Sequence, residues 1–322
     1  MSESREKTPR IVRVALTETC NVYGPMPPTV ARLGELRGDL EAIRSANIEH
    51  HLGLIDRAAD AGAQLVGMGE LCTSPYFALT QDPMWLALAE DAGSGPTITA
   101  FRERARERQL ILVAPIFEVE ATTGRRFNTA VVIDERGQIL GKYRKTHIPE
   151  GRNEQNTFHE SFYYGPSDGQ LGAAPGLATH AVQSPFFPVF ETSVGRVGVL
   201  ICYDRHFEGV VRSLALGGAE LILAPAITFG ATSQRMWRLE AQVDAMRHRV
   251  WIGASNRLGS EPPWNQEFFG DSFFCGPEGP IWALSSSSPG LVIADLDLDL
   301  LVADSGSGWA LNRDRRPEIY TR

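Results

Sequence analysis

Three residues of different chemistry stand at the ends of apolar runs. Glu70 follows AQLVGMG, Lys145 closes QILGKYRK, and Cys202 follows RVGVLI. Each run has the short, β-rich character of a buried strand. In α/β sheets, ligands bind at the carboxyl ends of strands. A carboxylate, an ammonium and a thiol delivered to one such edge suffice for acyl transfer without a cofactor or metal. The thiol attacks an acyl carbon, the carboxylate takes and returns protons, and the ammonium stabilises the oxyanion.

Each residue also has an ordinary reading. A cysteine ending an apolar strand is commonly a small buried hydrophobe. Glu70 reads as well as a loop carboxylate or a helix cap. Lys145 sits beside Arg144 and Lys142, a cluster typical of a solvated face. Cys72 is a rival nucleophile, although the Thr73-Ser74-Pro75 after it reads as a turn. Periodicity does not show whether the three residues meet.

The elements that must position them alternate between short β-rich runs and helical stretches. IVRVALTET (11–19) reads as a strand, and 21–44, with Gly24, Pro25, Pro27 and Pro28, as a loop. Ser45 is placed to cap a helix over about 46–61 that Gly62 ends. AQLVGMGE is a strand, 97–109 a helix, and LILVAPIFEV a strand. Three hairpins follow the pattern of two β-rich runs around a Gly-containing turn: FNTAVVID with QILGKYRK, FPVFET with RVGVLIC, and FFGDSFFCG with IWALSS. Helices are expected over about 207–217 and 233–249, with ELILAP, WIGASNR and LVIADLD as further strands. Residues 146–184 form a long Gly/Pro/Asn-rich stretch, a length often functional in a compact domain. The alternation implies an α/β protein with parallel strands and hairpins mixed. It suggests two mixed sheets stacked face to face with helices outside. No linker divides the chain, so 1–322 reads as one domain, with a core over about 10–303 and a tail over 304–322.

Composition narrows the class. Of 322 residues, 43% are hydrophobic and 22% charged, the balance of a globular protein. A net charge of −8 gives no general attraction to nucleic acid or anionic lipid. The 4 cysteines are too few and too scattered for a disulfide framework. The polar N-terminus lacks a secretory signal, and no apolar run is long enough to span a bilayer. His50 and His51 point about 100° apart on a helix, a poor chelate, and no HExxH pair occurs. These features lead to the expectation of a cytoplasmic, metal-free protein with a small-molecule partner.

GMGELCTSPYF around Glu70, KYRKTHIP around Lys145 and GVLICYDRHF around Cys202 resemble, in order and spacing, the three signature segments of the nitrilase superfamily of carbon–nitrogen hydrolases. The resemblance implies a four-layer α-β-β-α sandwich, a homodimer or higher homo-oligomer built across a helical face, and a Glu70–Lys145–Cys202 triad. FHESFYYGPSDG resembles the segment where the family places a second glutamate, here Glu160 rather than the neighbouring Glu150 or Glu154. In these terms Glu70 takes the thiol proton and passes it to the leaving ammonia. Lys145 lowers the thiol pKa and binds the oxyanion with the backbone N–H of Tyr203, and Glu160 orients Lys145. A helix beginning near His206 adds a favourable field.

Residues after the nucleophile discriminate among branches of the superfamily. CYDRH, TFGATSQRMWRLEA, ASNRLGSE and FFGDSFFCGPEG resemble the β-ureidopropionase and N-carbamoyl-amino-acid hydrolase branches, whereas nitrilases carry Cys-Trp-Glu. The expected reaction is hydrolysis of an N-carbamoyl amino acid to amino acid, carbon dioxide and ammonia. An aliphatic amidase, a nitrilase and a non-catalytic scaffold are the alternatives. Arg205 is expected to pair with a substrate carboxylate, its ordinary reading being a salt bridge to Asp204 or Glu208. Tyr76, Tyr203 and Thr228 are the other expected substrate contacts. The chain departs from the branch at Phe207-Glu208-Gly209, where a proline is usual.

Overall fold

The computed structural model describes residues 9–170, 184–281, 289–302 and 308–319. In chain order the elements begin with β1 (Ile11–Thr17), α1 (Leu40–Asp60), β2 (Leu65–Gly67), α2 (Pro96–Arg108), β3 (Ile111–Val119), β4 (Arg126–Ile133) and β5 (Ile139–Arg144). A small hairpin, β6 (Glu150–Arg152) and β7 (Thr157–His159), leads into the single turn α3 (Glu160–Tyr163). Then come β8 (Val189–Thr192), β9 (Gly195–Val199), α4 (Glu208–Leu216), β10 (Leu221–Pro225), α5 (Ala231–His248) and β11 (Trp251–Ser255). The hairpin β12 (Leu258–Glu261) and β13 (Gln266–Phe269), then β14 (Phe273–Gly276), β15 (Gly279–Ile281), β16 (Leu291–Asp297) and the short α6 (Leu311–Asp314) complete the series.

Two six-stranded sheets result, ordered β16-β1-β2-β3-β4-β5 and β8-β9-β10-β11-β14-β15. Both run antiparallel, parallel, parallel, antiparallel, antiparallel, so the second repeats the first. The layering follows from side-chain alternation. Along β1, Val12, Val14 and Leu16 enter the core shared with the second sheet, among Val199, Leu223 and Ala254. Ala15 points the other way, to the cluster that holds Leu54 and Ile55 of α1 and Ile98 and Phe101 of α2. Helices α4 and α5 bury Val210, Leu214, Trp237 and Ala245 on the outer side of the second sheet. The order is therefore helix, sheet, sheet, helix, as the resemblance implies. At Gly67 the sheets approach so closely that a Cβ would lie 3.0 Å from Leu223 Cδ1. A larger residue there would push apart the layers immediately before Glu70.

Several boundaries differ from expectation. Ser45 does not cap a helix, because α1 already begins at Leu40 and a 3-10 segment, Val30–Gly38, occupies much of the expected loop. Residues 40–44 join the helix because Leu40 and Ile43 bury against the aromatic cluster around Phe77 and Trp85. FFGDSFFCG is two strands in different sheets, divided by a turn in which Gly270 and Asp271 have positive φ. The tail contains α6 rather than being wholly irregular. The basic trio at 142–145 is not solvated. Lys145 and Arg144 are fully buried, and Arg144 and Lys142 both pair with Glu118.

Candidate active site

Each functional side chain is held just past a strand rather than within it. Glu70 lies three residues beyond β2, Lys145 directly follows β5, and Cys202 comes three residues after β9. Cys202 opens a 3-10 turn, Cys202–His206, with φ of 51°, in the left-handed region that a non-glycine residue occupies at a cost. The strand-to-turn kink sets the thiol off the strand, at the floor of a cavity of about 390 Å³.

The structure brings Glu70, Lys145, Glu160 and Cys202 together. Lys145 Nζ donates to Glu70 Oε1 at 2.8 Å and to Glu160 Oε2 at 2.6 Å. Glu70 also accepts from Asn128 Nδ2 at 2.7 Å and, through Oε2, from the backbone N–H of Ile227 at 2.7 Å. The thiol of Cys202 points at the carbonyl of that same Ile227, 3.5 Å away. One peptide residue thus touches both the carboxylate and the thiol. Glu160 accepts from the Tyr76 hydroxyl at 2.9 Å, so the expected substrate contact Tyr76 braces the second glutamate while lining the cavity.

Lys145 pulls the thiol pKa down as expected, but burial and Glu70 outweigh it. Burial alone would depress Lys145, but the charges of Glu160 and Glu70 outweigh it and hold the ammonium well above its usual range. Burial raises Glu160, opposed by Lys145. For Cys202, burial first and the Glu70 charge second push the thiol up to about 12, against the lowering pull of Lys145 and Arg205. Burial first and the Glu70 charge second thus favour the neutral thiol at rest. A proton acceptor must then act during attack, and Glu70 is the group placed to do so.

A second network joins the nucleophile turn to the Lys145 segment. Buried Asp204 accepts from the Tyr143 hydroxyl at 2.5 Å, the His147 backbone N–H at 3.0 Å and the Ile201 backbone N–H at 3.0 Å, and its Oδ1 lies 2.7 Å from His147 Nδ1. Tyr143 and His147 flank Lys145 by two residues, and Asp204 follows Cys202 by two. A third device holds the Glu70 turn. Arg257 donates to the carbonyls of Glu70, Leu71 and Ser74 and pairs with Glu261, which in turn accepts from Tyr76 N at 2.8 Å. Sequence reasoning missed Asp204 as a tether, Arg257, Glu261 and Asn128. The ASNRLGSE segment carried a signal for two of them, but its role depends on contacts more than 180 residues away.

Arg205, Tyr203 and Thr228 all line the cavity. Asp204 is taken up by Tyr143, His147 and Ile201, and among the described residues Arg205 makes no ion pair with it or with Glu208. Its Nε lies 3.4 Å from Glu240, its Nη1 donates to the Cys202 carbonyl at 2.9 Å, and its Nη2 to Thr228 Oγ1 at 3.2 Å. Glu150 binds His159 and Ser161, and Glu154 accepts from Ala231 N, so neither competes with Glu160. Cys72 is buried with its thiol pushed up by burial, away from this cavity's lining. The helix expected near His206 begins at Glu208, after the 3-10 turn. Among the described residues, no cluster of three His, Cys, Asp or Glu side chains is arranged to hold a metal, and no helix is long and apolar enough to cross a membrane.

A sandwich of this topology with a carboxylate, ammonium and thiol at one strand edge defines a cysteine-type hydrolase of carbon–nitrogen bonds. The carbon–nitrogen hydrolase family model matches residues 40–304, and the chain belongs to that family. It is 31% identical to β-ureidopropionase of Arabidopsis thaliana, over 98% of this chain and 73% of that protein. It is 32% identical to N-carbamoylputrescine amidase of the same plant, over 86% of this chain and 89% of that protein. Among solved structures, the carbon–nitrogen hydrolase of Helicobacter pylori G27 superposes with a TM-score of 0.76 at 26% identity, covering 97% of both chains.

Proposed function

We propose that the protein hydrolyses N-carbamoyl amino acids, releasing amino acid, carbon dioxide and ammonia. The observation that carries the reading is that Cys202 and Glu160 line one cavity while Lys145, bonded to Glu160 and Glu70, is buried behind them. The relatives named for ureido substrates support the substrate class.

In this mechanism the Cys202 sulfur attacks the carbamoyl carbon as its proton passes to Glu70. The oxyanion is held by Lys145 and the N–H of Tyr203, whose turn position leaves early amides without helical partners. Collapse breaks the bond to the terminal nitrogen, which takes the proton from Glu70 and leaves as ammonia. Water then attacks the S-acyl intermediate with Glu70 as base. The released carbamate loses carbon dioxide to give the amino acid. Glu160 keeps Lys145 charged and aimed throughout.

Ammonia release from N-carbamoyl-β-alanine, N-carbamoyl-α-amino acids, simple amides and nitriles tests the reading. Turnover of amides or nitriles without any ureido compound would refute the substrate class. Full activity in Cys202→Ala would refute the mechanism.

We further propose a single domain that dimerises across α5, where Leu239, Val243 and Met246 are 53%, 38% and 46% exposed along one helical stripe. Light scattering of Val243→Lys, expected to dissociate the dimer, tests this. A cytoplasmic location fits the four free cysteines.

A further inference from the structure

We propose that Asn128 is a positioning residue for the proton transfer. With Lys145 it fills Glu70 Oε1, which leaves Oε2 as the oxygen that takes the thiol proton and returns it to the leaving nitrogen. The proposal rests on Glu70 being the base in the mechanism above, and it is independent of the ureido substrate.

Asn128 is fully buried in β4. Its backbone carbonyl accepts from the Lys145 N–H at 2.8 Å, so strand pairing brings amide and ammonium to one level. Its Nδ2 donates to Glu70 Oε1 at 2.7 Å and to the Tyr164 hydroxyl at 3.4 Å. That hydroxyl in turn hydrogen-bonds to Glu160. Lys145 and Asn128 therefore each link Glu70 to Glu160, Lys145 directly and Asn128 through Tyr164, and the five side chains close a ring. The amide has one usable orientation, because turning it over would set Oδ1 against the Glu70 carboxylate. Among the described residues Oδ1 accepts no hydrogen bond, although it is buried. Such an oxygen costs stability, and a leucine of the same shape would avoid the cost. Stability alone does not account for asparagine here, whereas holding Glu70 does.

The lone pairs decide which oxygen is the base. Each carboxylate oxygen offers two acceptor sites. Both sites of Oε1 are taken, by Lys145 Nζ and Asn128 Nδ2. Oε2 accepts the Ile227 N–H and keeps one site open. The thiol of Cys202 is bonded to the carbonyl of that same Ile227. During attack the S–H bond breaks and an Oε2–H bond forms while sulfur bonds to the acyl carbon. On collapse that proton passes to nitrogen, and the electron pair of the breaking C–N bond stays with nitrogen. A neutral amide at Oε1 orients the carboxylate without the second positive charge that would weaken it as a base.

The test measures kcat and KM from pH 4.5 to pH 9 for wild-type protein, Asn128→Leu, Asn128→Ala and Glu70→Gln, with melting curves to check folding. The substrate is N-carbamoyl-β-alanine, or butyramide if the protein cleaves only amides. The other titratable groups that act on Glu70 are Lys145, Glu160, Cys202, Tyr76 and Tyr164, and they are the same in the wild-type protein and both Asn128 variants. Asn128→Leu is expected to lower kcat about tenfold or more with KM little moved. The acid limb of kcat/KM is expected to rise by about one pH unit, because the ionised carboxylate loses a donor. Asn128→Ala, which adds no atoms to the site, carries the same expectation if the leucine variant does not fold. A purely structural asparagine would lower activity by the same factor at every pH and leave the acid limb in place, which overturns the proposal. A kcat at or above the wild-type value also overturns it, since freeing Oε1 would then have helped and Oε1 would be the base. Full activity in Glu70→Gln refutes the base reading itself, and the proposal with it. Loss of activity in Glu70→Gln with an unmoved acid limb in both Asn128 variants refutes the proposal alone.

Discussion

The resting state of the nucleophile is the sharpest point at which the mechanism can fail. Burial and the Glu70 charge push the Cys202 thiol to about 12, from an ordinary value of 9.0. Such a rise corresponds to about 4 kcal/mol for ionising the thiol in place. At neutral pH the resting thiolate fraction is then about one in 100,000, against a few per cent for an ordinary cysteine. The catalytic thiolate must therefore form as Glu70 receives the proton, not before. The perturbation is Glu70→Gln, and the assay is the ultraviolet absorbance of the thiolate, taken as the difference between each protein and its Cys202→Ala counterpart across pH. The other cysteines and the tyrosines cancel in that difference. Wild-type protein is expected to show no Cys202 step between about pH 5 and pH 10. Glu70→Gln removes a negative charge, so it should bring the step to lower pH while ammonia release falls. Easier ionisation with slower turnover is the signature of a general base. A wild-type step near pH 6 to 7 would falsify this account and indicate a preformed thiolate–ammonium pair.

Other outcomes follow from the buried charges. Lys145→Met leaves Glu70 and Glu160 facing each other without a cation, at about 3–5 kcal/mol. The repulsion raises a carboxylate pKa in the folded state, so the defect should grow as pH rises and shrink in acid. A Tm deficit equal at pH 5 and pH 8 would contradict this. His51 is buried, held to about 4 chiefly by desolvation, with Nδ1 at 2.9 Å from the Asn47 carbonyl. Its stabilising contribution is present above about pH 6.5 and lost as pH falls toward 4, about 3 kcal/mol in full. Urea titrations should show a shallower acid loss in His51→Gln, and an unchanged slope would count against it. Asp204→Asn replaces a buried carboxylate that serves Tyr143, His147 and Ile201. It should cost about 3 kcal/mol of stability and at least tenfold in kcat, with KM little moved. A stability loss with kcat intact would reduce the network to scaffolding.

Much of this protein is legible in its residues alone. The apolar runs that form β2, β5 and β9 and the hairpin turn after Ile133 are local properties, so the strands that end just before Glu70, Lys145 and Cys202 could be read directly. The second acidic partner of Lys145, Glu160, could be reached only through the resemblance around FHESFYYG, because a glutamate opening a single helical turn has no local signature. Helix α1 starts earlier than its sequence signals indicate because Leu40 and Ile43 become apolar partners only once Phe77 and Trp85 are folded against them. What the tertiary structure alone decided is which charges meet. The same KYRK reads as a solvated face until Glu118, Glu70 and Glu160 surround it. The ionisation of Cys202 could not be read from its neighbours in sequence, because burial and the Glu70 charge outweigh Lys145 only at the distances set by two stacked sheets. Arg205 follows the same rule. Its type and spacing suggest a ligand contact, and only the folded chain shows it lining the cavity with Thr228 and the Cys202 carbonyl as partners. Sequence determines which groups are available and which strand ends present them. Packing determines their solvation and their partners, and for ionisable groups those two quantities set the chemistry.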